Sequence, residues 1–218
     1  MKIWQQIKKD FPLLLIIAST FVIGWYVYPD LPQRVPSHWN FQGEIDGYSS
    51  RFWGAFGLPL MILGCFFLFE LLPFIDPRKE NYAKFTKAYT MFKYAFTLLF
   101  YGLYIVILLA AMDYPIKINI VVPVGIAILF IVIGNYLTTV RHNYFIGIRT
   151  PWTLASEEVW RKTHRLAGRL WFGSGLVAII ALLLNAKIGR TIFFVLIIGT
   201  AVFSMIYSWW CFQKLNNG

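Results

Sequence analysis

Charge is scarce in this chain: only 14% of its 218 residues are Asp, Glu, Lys or Arg, where a soluble domain carries roughly 25%. With 58% hydrophobic residues and a mean hydropathy of +0.61, that shortage excludes an ordinary water-soluble fold, because so few polar side chains cannot cover so much apolar surface. Cysteine is nearly absent. Cys65 and Cys211 each fall inside an apolar run, which rules out a disulfide framework and any CxxC metal motif. The three histidines, His38, His142 and His164, stand far apart, whereas a zinc site needs three or four ligands; neither a metal nor another cofactor is expected. No HExxH, no GxSxG and no close carboxylate pair occurs in a span or a long loop, so the chain is not expected to be an enzyme.

Basic residues are present in excess, 20 against 10 acidic, for a net charge of +10. No RNA- or DNA-binding motif accompanies them, and they sit between apolar runs rather than in one stripe. Direct nucleic-acid binding is therefore not expected, and the charge is read as membrane topology.

A helix rises 1.5 Å per residue, and a hydrocarbon core about 30 Å thick needs runs of roughly 17 to 25 apolar residues. Six such runs occur, at about 11–28, 52–72, 94–112, 118–140, 170–186 and 191–212. In lipid each must be helical, since every backbone N–H and C=O needs an internal partner. The expected fold class is all-α: a single polytopic helix bundle, 1–218, with about six spans. The first run follows Lys2, Lys8 and Lys9 and ends in Tyr26-Val27-Tyr28-Pro29 rather than in a small-x-small cleavage site, so it reads as an uncleaved anchor.

Lys and Arg set the orientation. With the N-terminus inside, 15 of the 20 basic residues fall on the inner side and five, Arg34, Arg51, Lys117, Lys187 and Arg190, on the outer. Both termini are thus expected in the cytoplasm, in a bacterial plasma membrane once the family resemblance below is added. Two loops are long enough to carry function: an outer one, 29–51, and an inner one, 141–168.

In the outer loop Pro29, Pro32 and Pro36 fix φ and forbid a helix, and Asp46-Gly47 is a tight-turn pair. Such a stiffened segment presents His38, Trp39, Asn40, Phe41 and Tyr48 in a set arrangement. The aromatics read equally well as an interfacial belt. In the inner loop Thr153 is expected to cap a helix from about Leu154, with Glu157 and Glu158 at its positive end and Arg161, Lys162 and Arg165 further on. Trp160, His164, Ala167 and Trp171 recur at helical spacing, which predicts an amphipathic helix on the inner membrane surface, drawn to anionic membrane lipid. The preceding Gly147-Ile148-Arg149-Thr150-Pro151-Trp152-Thr153 combines a flexible glycine, a permanent cation, a proline and an aromatic. Glu70 and Asn135 are the nearest intramembrane polar groups, expected to face the bundle and find partners. Arg149 is expected to pair with Glu70 or Asp76.

The run Asn143-x-x-Ile146-Gly147-x-Arg149-Thr150-Pro151-Trp152-Thr153-Leu154, followed by Trp160, resembles the signature of the SdpI family of bacterial immunity proteins. Gly134-Asn135 ahead of it and the tail Lys214-Leu215-Asn216 are similar too. Pro36-x-His38-Trp39-Asn40-x-x-Gly43-x-x-Asp46-Gly47 resembles a domain often found at the start of family members. The resemblance implies resistance to a secreted peptide toxin, with His38, Trp39, Asn40, Gly43 and Asp46 as candidate ligand-binding residues on the outer face. It also implies a cytoplasmic winged-helix repressor as a candidate partner of the inner loop. A membrane transporter or exporter of a small or peptide substrate is the alternative, although ionisable groups within spans or paired broken helices, which that class favours, are not evident beyond Glu70 and Asn135.

Overall fold

A computed structural model describes residues 7–216; Lys2, one of the topology-setting cations, lies outside them. In chain order the elements are α1 (Phe11–Val27), a 3₁₀ turn (Tyr28–Asp30), strands β1 (Arg34–Trp39) and β2 (Ile45–Ser50), α2 (Arg51–Ile75), a second 3₁₀ turn (Lys79–Lys84), α3 (Thr86–Ala111), α4 (Ile118–Leu137), α5 (Pro151–Ala155), α6 (Glu157–Leu184) and α7 (Ala186–Asn216). Six of these helices are long and apolar enough to cross a membrane, as the hydropathy runs require.

Two helices begin well before their apolar runs. Hydropathy registers only the part of a helix that must sit in hydrocarbon, and α3 opens with eight residues that include Lys87 and Lys93. Likewise α6 has 28 residues, roughly 42 Å of helix for a core about 30 Å thick. Its surplus turns carry the amphipathic stretch. The expected surface helix is therefore not a separate element but the beginning of the fifth span. Its cap is also displaced: Ser156 accepts from the Val159 N–H, while Thr150 caps the short α5.

The described residues form two compact units, one of 7–71 and 94–125, the other of 72–93 and 126–216. In the first, Leu13, Ile17, Thr20 and Gly24 of α1 recur every three or four residues and form its buried face. Leu13 and Ile17 pack with Ile62 and Phe66 of α2. Ala55, Tyr104 and Leu108 form a second cluster with Leu31 and Val35. Tyr104 reaches the backbone of both neighbours, its hydroxyl donating to the Ala55 carbonyl at 2.9 Å and to the Thr20 carbonyl at 3.1 Å.

The outer-loop sequence departs from the all-α expectation by folding into an antiparallel hairpin, β1 against β2. Prolines forbid a helix there but tolerate a two-stranded edge with a bulge, and irregular register does occur between Pro36 and Trp39. Val35 anchors the hairpin: its side chain lies where a Cβ on Gly54 would stand.

In the second unit α4, α6 and α7 pack closely. A Cβ on Gly134 would meet the Phe172 amide nitrogen at 2.5 Å, one on Gly175 the Ala127 carbonyl at 2.6 Å, and one on Gly189 the Ala181 carbonyl at 2.5 Å. Small residues let these backbones touch, which is how helices associate in lipid. Asn135, next to Gly134, is exposed rather than turned into the bundle: seating Gly134 against α6 rotates its neighbour outward.

Candidate functional site

The hairpin tip is built by polar clamps. Asn40 Oδ1 accepts from the Gln42 N–H at 3.0 Å and the Glu44 N–H at 2.9 Å, and Asn40 Nδ2 donates to Glu44 Oε2 at 2.8 Å. Gly43 sits at φ +90°, where a side chain is strained. Asn119 at the start of α4 donates to the Gln42 carbonyl at 2.8 Å. Across the strands His38 Nδ1 meets Asp46 Oδ1 at 2.5 Å, and the Arg34 guanidinium stands 4.8 Å from the Tyr48 ring centroid. Of the residues singled out here, Asn40 and Gly43 shape the turn, His38 and Asp46 tie the strands together, and Trp39 is half-buried. The large apolar side chains that the hairpin exposes are Phe41, Ile45 and Tyr48, and His38 and Asp46 remain exposed beside them.

The second cluster lies wholly in the other unit. Asn143 is fully buried and spends all four of its hydrogen-bonding positions on the loop: Nδ2 donates to the Arg141 and Ile146 carbonyls, and Oδ1 accepts from the Phe145 and Ile146 N–H groups. Gly147 has φ +114°, and a Cβ there would run into His164. His164 Nε2 accepts from the Ile148 N–H at 3.0 Å, so its proton is on Nδ1, which faces the Trp160 carbonyl at 2.8 Å. The imidazole stacks on Trp160 with centroids 4.0 Å apart, and the Trp160 indole donates to the Val140 carbonyl.

Thr150 and Thr153 form a reciprocal capping box at α5. Thr150 Oγ1 also bonds Ser208 Oγ of α7 at 2.9 Å. Pro151 occupies the first turn of α5, where its missing N–H costs nothing. Asn143, Gly147, Thr150, Thr153 and Trp160 are thus braces; Arg149 and Pro151 are exposed, and Trp152 and Leu154 half-exposed.

Arg149 does not form the expected ion pair with Asp76. It donates from Nη1 to the Tyr144 carbonyl at 3.1 Å, and Asp76 is already taken by the Arg78 N–H at 2.7 Å, the Tyr144 N–H at 2.9 Å and the Tyr82 hydroxyl at 3.1 Å. A buried carboxylate needs such donors, and backbone donors reach it first. Glu70 is buried in α2. Burial and the adjacent carboxylate push the Tyr82 phenol well up, which keeps it a donor.

Sequence reasoning missed Tyr144, Asn119 and Ser208 and gave Asp76 the wrong partner, since each acts through a residue distant in the chain. Burial, aided by the Arg78 cation, holds the His142 imidazole below its ordinary range. Among its neighbours only Glu157 opposes this through charge. A group neutral in the folded chain and titrating near 6.5 when unfolded makes the unfolded state bind more protons, so stability is lost as pH falls below about 6.5. Thermal melts from pH 7.5 to 5 should therefore decline, and less so in His142→Gln; identical slopes would count against this account.

Six apolar helices, a clamped hairpin and a braced, glycine-dependent loop define a multi-pass helical membrane protein of bacterial type. The model of the SdpI/YfhL protein family matches residues 139–208, the part containing that loop. A domain of unknown function (DUF1648) matches 15–63, which spans α1, the hairpin and the start of α2. "Immunity protein SdpI" of Bacillus subtilis (strain 168) is 26% identical over 210 residues, 96% of this chain and 99% of that protein. The chain is thus similar to the SdpI/YfhL family over residues 139–208 and to this immunity protein over nearly its whole length. No solved structure matches it.

Proposed function

We propose that this protein confers immunity of the SdpI kind, giving resistance to a secreted peptide toxin by binding it on the face that carries the hairpin. The similarity to an immunity protein along nearly the whole chain supports this reading. The observation that carries it is the hairpin itself, whose fixed backbone displays Phe41, Ile45 and Tyr48 to the surroundings. Rigid aromatics lose little entropy on binding and supply much of the energy in peptide recognition. The bias of basic residues puts the hairpin outside and the 141–168 segment, with both termini, in the cytoplasm. A winged-helix repressor would then engage the inner segment, provided bound toxin favours one bundle state over another.

The test is survival of a toxin-sensitive Gram-positive strain challenged with an SdpI-family peptide toxin. Wild-type protein should protect, and a Phe41→Ser, Ile45→Ser, Tyr48→Ser variant at equal membrane level should lose most of that protection. Equal protection by the variant would discard the hairpin as the binding surface. Failure of the wild type would discard the immunity reading for that toxin. Labelled toxin held by cells whose proton gradient has been collapsed separates capture from export.

A further inference from the structure

Among the described residues Arg78 is a permanent cation without a counter-ion. It follows α2 by three residues, and its Cζ lies 5.1 Å from the Tyr144 ring centroid. Its Nη1 is enclosed and makes no hydrogen bond. Asp76, the acid two residues away, is committed to backbone and phenol donors. Among the described residues no carboxylate pairs with the Arg78 side chain.

Two further groups surround the same tyrosine. Arg149, exposed, reaches its carbonyl. His142, two residues before it and 5% exposed, has an enclosed Nε2 with no partner. A desolvated cation and an unsatisfied ring nitrogen both carry a cost unless a polar group meets them. Just before Arg78, the last turn of α2 exposes Phe74 (37%) and Ile75 (50%). Apolar side chains at the end of a spanning helix, followed three residues on by the Arg78 guanidinium, reproduce the order of a phospholipid, acyl chain and then phosphate.

We propose that Arg78 and Arg149 form a binding site for the phosphate of an anionic phospholipid, whose acyl chain runs along Phe74 and Ile75. Guanidinium suits this ligand because its planar fork donates to two phosphate oxygens at once. The site is independent of the immunity reading. It also differs from diffuse attraction to a charged surface, in which every exposed cation would count alike.

The full-length protein is purified in neutral detergent and its melting temperature followed during titration with phosphatidylglycerol, phosphatidylcholine or inorganic phosphate. Phosphatidylglycerol should raise the melting temperature saturably, and the other two should not. Arg78→Gln should increase the half-saturating lipid concentration about tenfold, whereas Arg161→Gln, an exposed cation elsewhere in the unit, should leave it unchanged. Equal action by phosphatidylcholine, or an equal loss in Arg161→Gln, would overturn the site; an equal effect of inorganic phosphate would overturn the lipid as its ligand. If Arg78→Gln does not fold, Arg149→Gln decides: its side chain is exposed and leaves the bonds of Asp76 intact, so an unchanged midpoint there also overturns the proposal.

Discussion

Replacing Gly134 with leucine should remove most folded protein from the membrane, whereas Gly173→Ala, one residue past Phe172 of the same crossing, should be harmless. At Gly134 even a methyl group would meet the Phe172 amide nitrogen at 2.5 Å, the Gly168 carbonyl at 2.8 Å and the Phe172 Cα at 3.0 Å. These are backbone atoms and cannot rotate aside. Gly168 presents the reciprocal contact, 2.8 Å to the Gly134 carbonyl, so α4 and α6 would have to separate. Overpacking a well-filled core costs about 1–3 kcal/mol, occasionally more; with rigid backbone on one side and a leucine on the other, the upper end applies. In lipid little else compensates, since tails solvate an exposed leucine as well as a helix does.

Separation of the helices would carry the signature loop with it, because Val140 just beyond α4 holds Trp160 of α6. Around Gly173 nothing lies within 4 Å, and removing a glycine from a helix interior gains about 0.5–1 kcal/mol. Membrane abundance and the melting temperature of purified protein measure both changes. A Gly134→Leu protein that melts like wild type would refute the backbone-to-backbone crossing.

Asn143→Ala should be the most damaging polar substitution in the loop, costing about 3 kcal/mol or more. It strands two N–H groups, of Phe145 and Ile146, and two carbonyls, of Arg141 and Ile146. Each buried unsatisfied group costs about 1–3 kcal/mol, and partial access of water to this loop lowers the sum. Asn143→Asp should be no better: the carboxylate keeps the two acceptor bonds but turns an oxygen toward two carbonyls. Arg149→Ala, which loses one exposed bond to the Tyr144 carbonyl, should shift the melting temperature little. Any loss of protection it causes would therefore concern binding or signalling rather than folding. Melting curves of the three variants decide this, and an Asn143→Ala protein as stable as Arg149→Ala would show that the side-chain clamp is dispensable.

Much of the architecture could be read from the residues. Six apolar runs whose one charged residue is Glu70 leave no structure but spanning helices, and the approximate positions hold from Phe11 to the end of α7. What could not be read is where each helix begins, because a turn in water need not be apolar; α3 and α6 start some eight and thirteen residues before their hydropathic runs. The hairpin was half-visible: Pro29, Pro32 and Pro36 excluded a helix, but Asp46-Gly47, read as the tight turn, lies within β2, and the chain reverses at Asn40–Glu44 instead. Its pairing depends on Val35 seating against Gly54 and on Asn119 holding Gln42, neither of which is local.

The same limit applies to the signature. Residue types alone identify Asn143, Gly147, Arg149, Thr150, Pro151, Thr153 and Trp160 as a group, but not their separate roles. Arg149 was the obvious candidate for a buried ion pair, and tertiary contact instead gave Asp76 to three nearer donors and left the guanidinium exposed. By itself the sequence determined that the protein lies in a membrane, how many times it can cross and which family it resembles, because bilayer thickness and backbone hydrogen bonding act on composition and length. Only the tertiary structure decided which polar residues brace and which remain available to a ligand. That division depends on which groups meet in space, and Asp76 with Tyr144, or Thr150 with Ser208, are 58 to 68 residues apart along the chain.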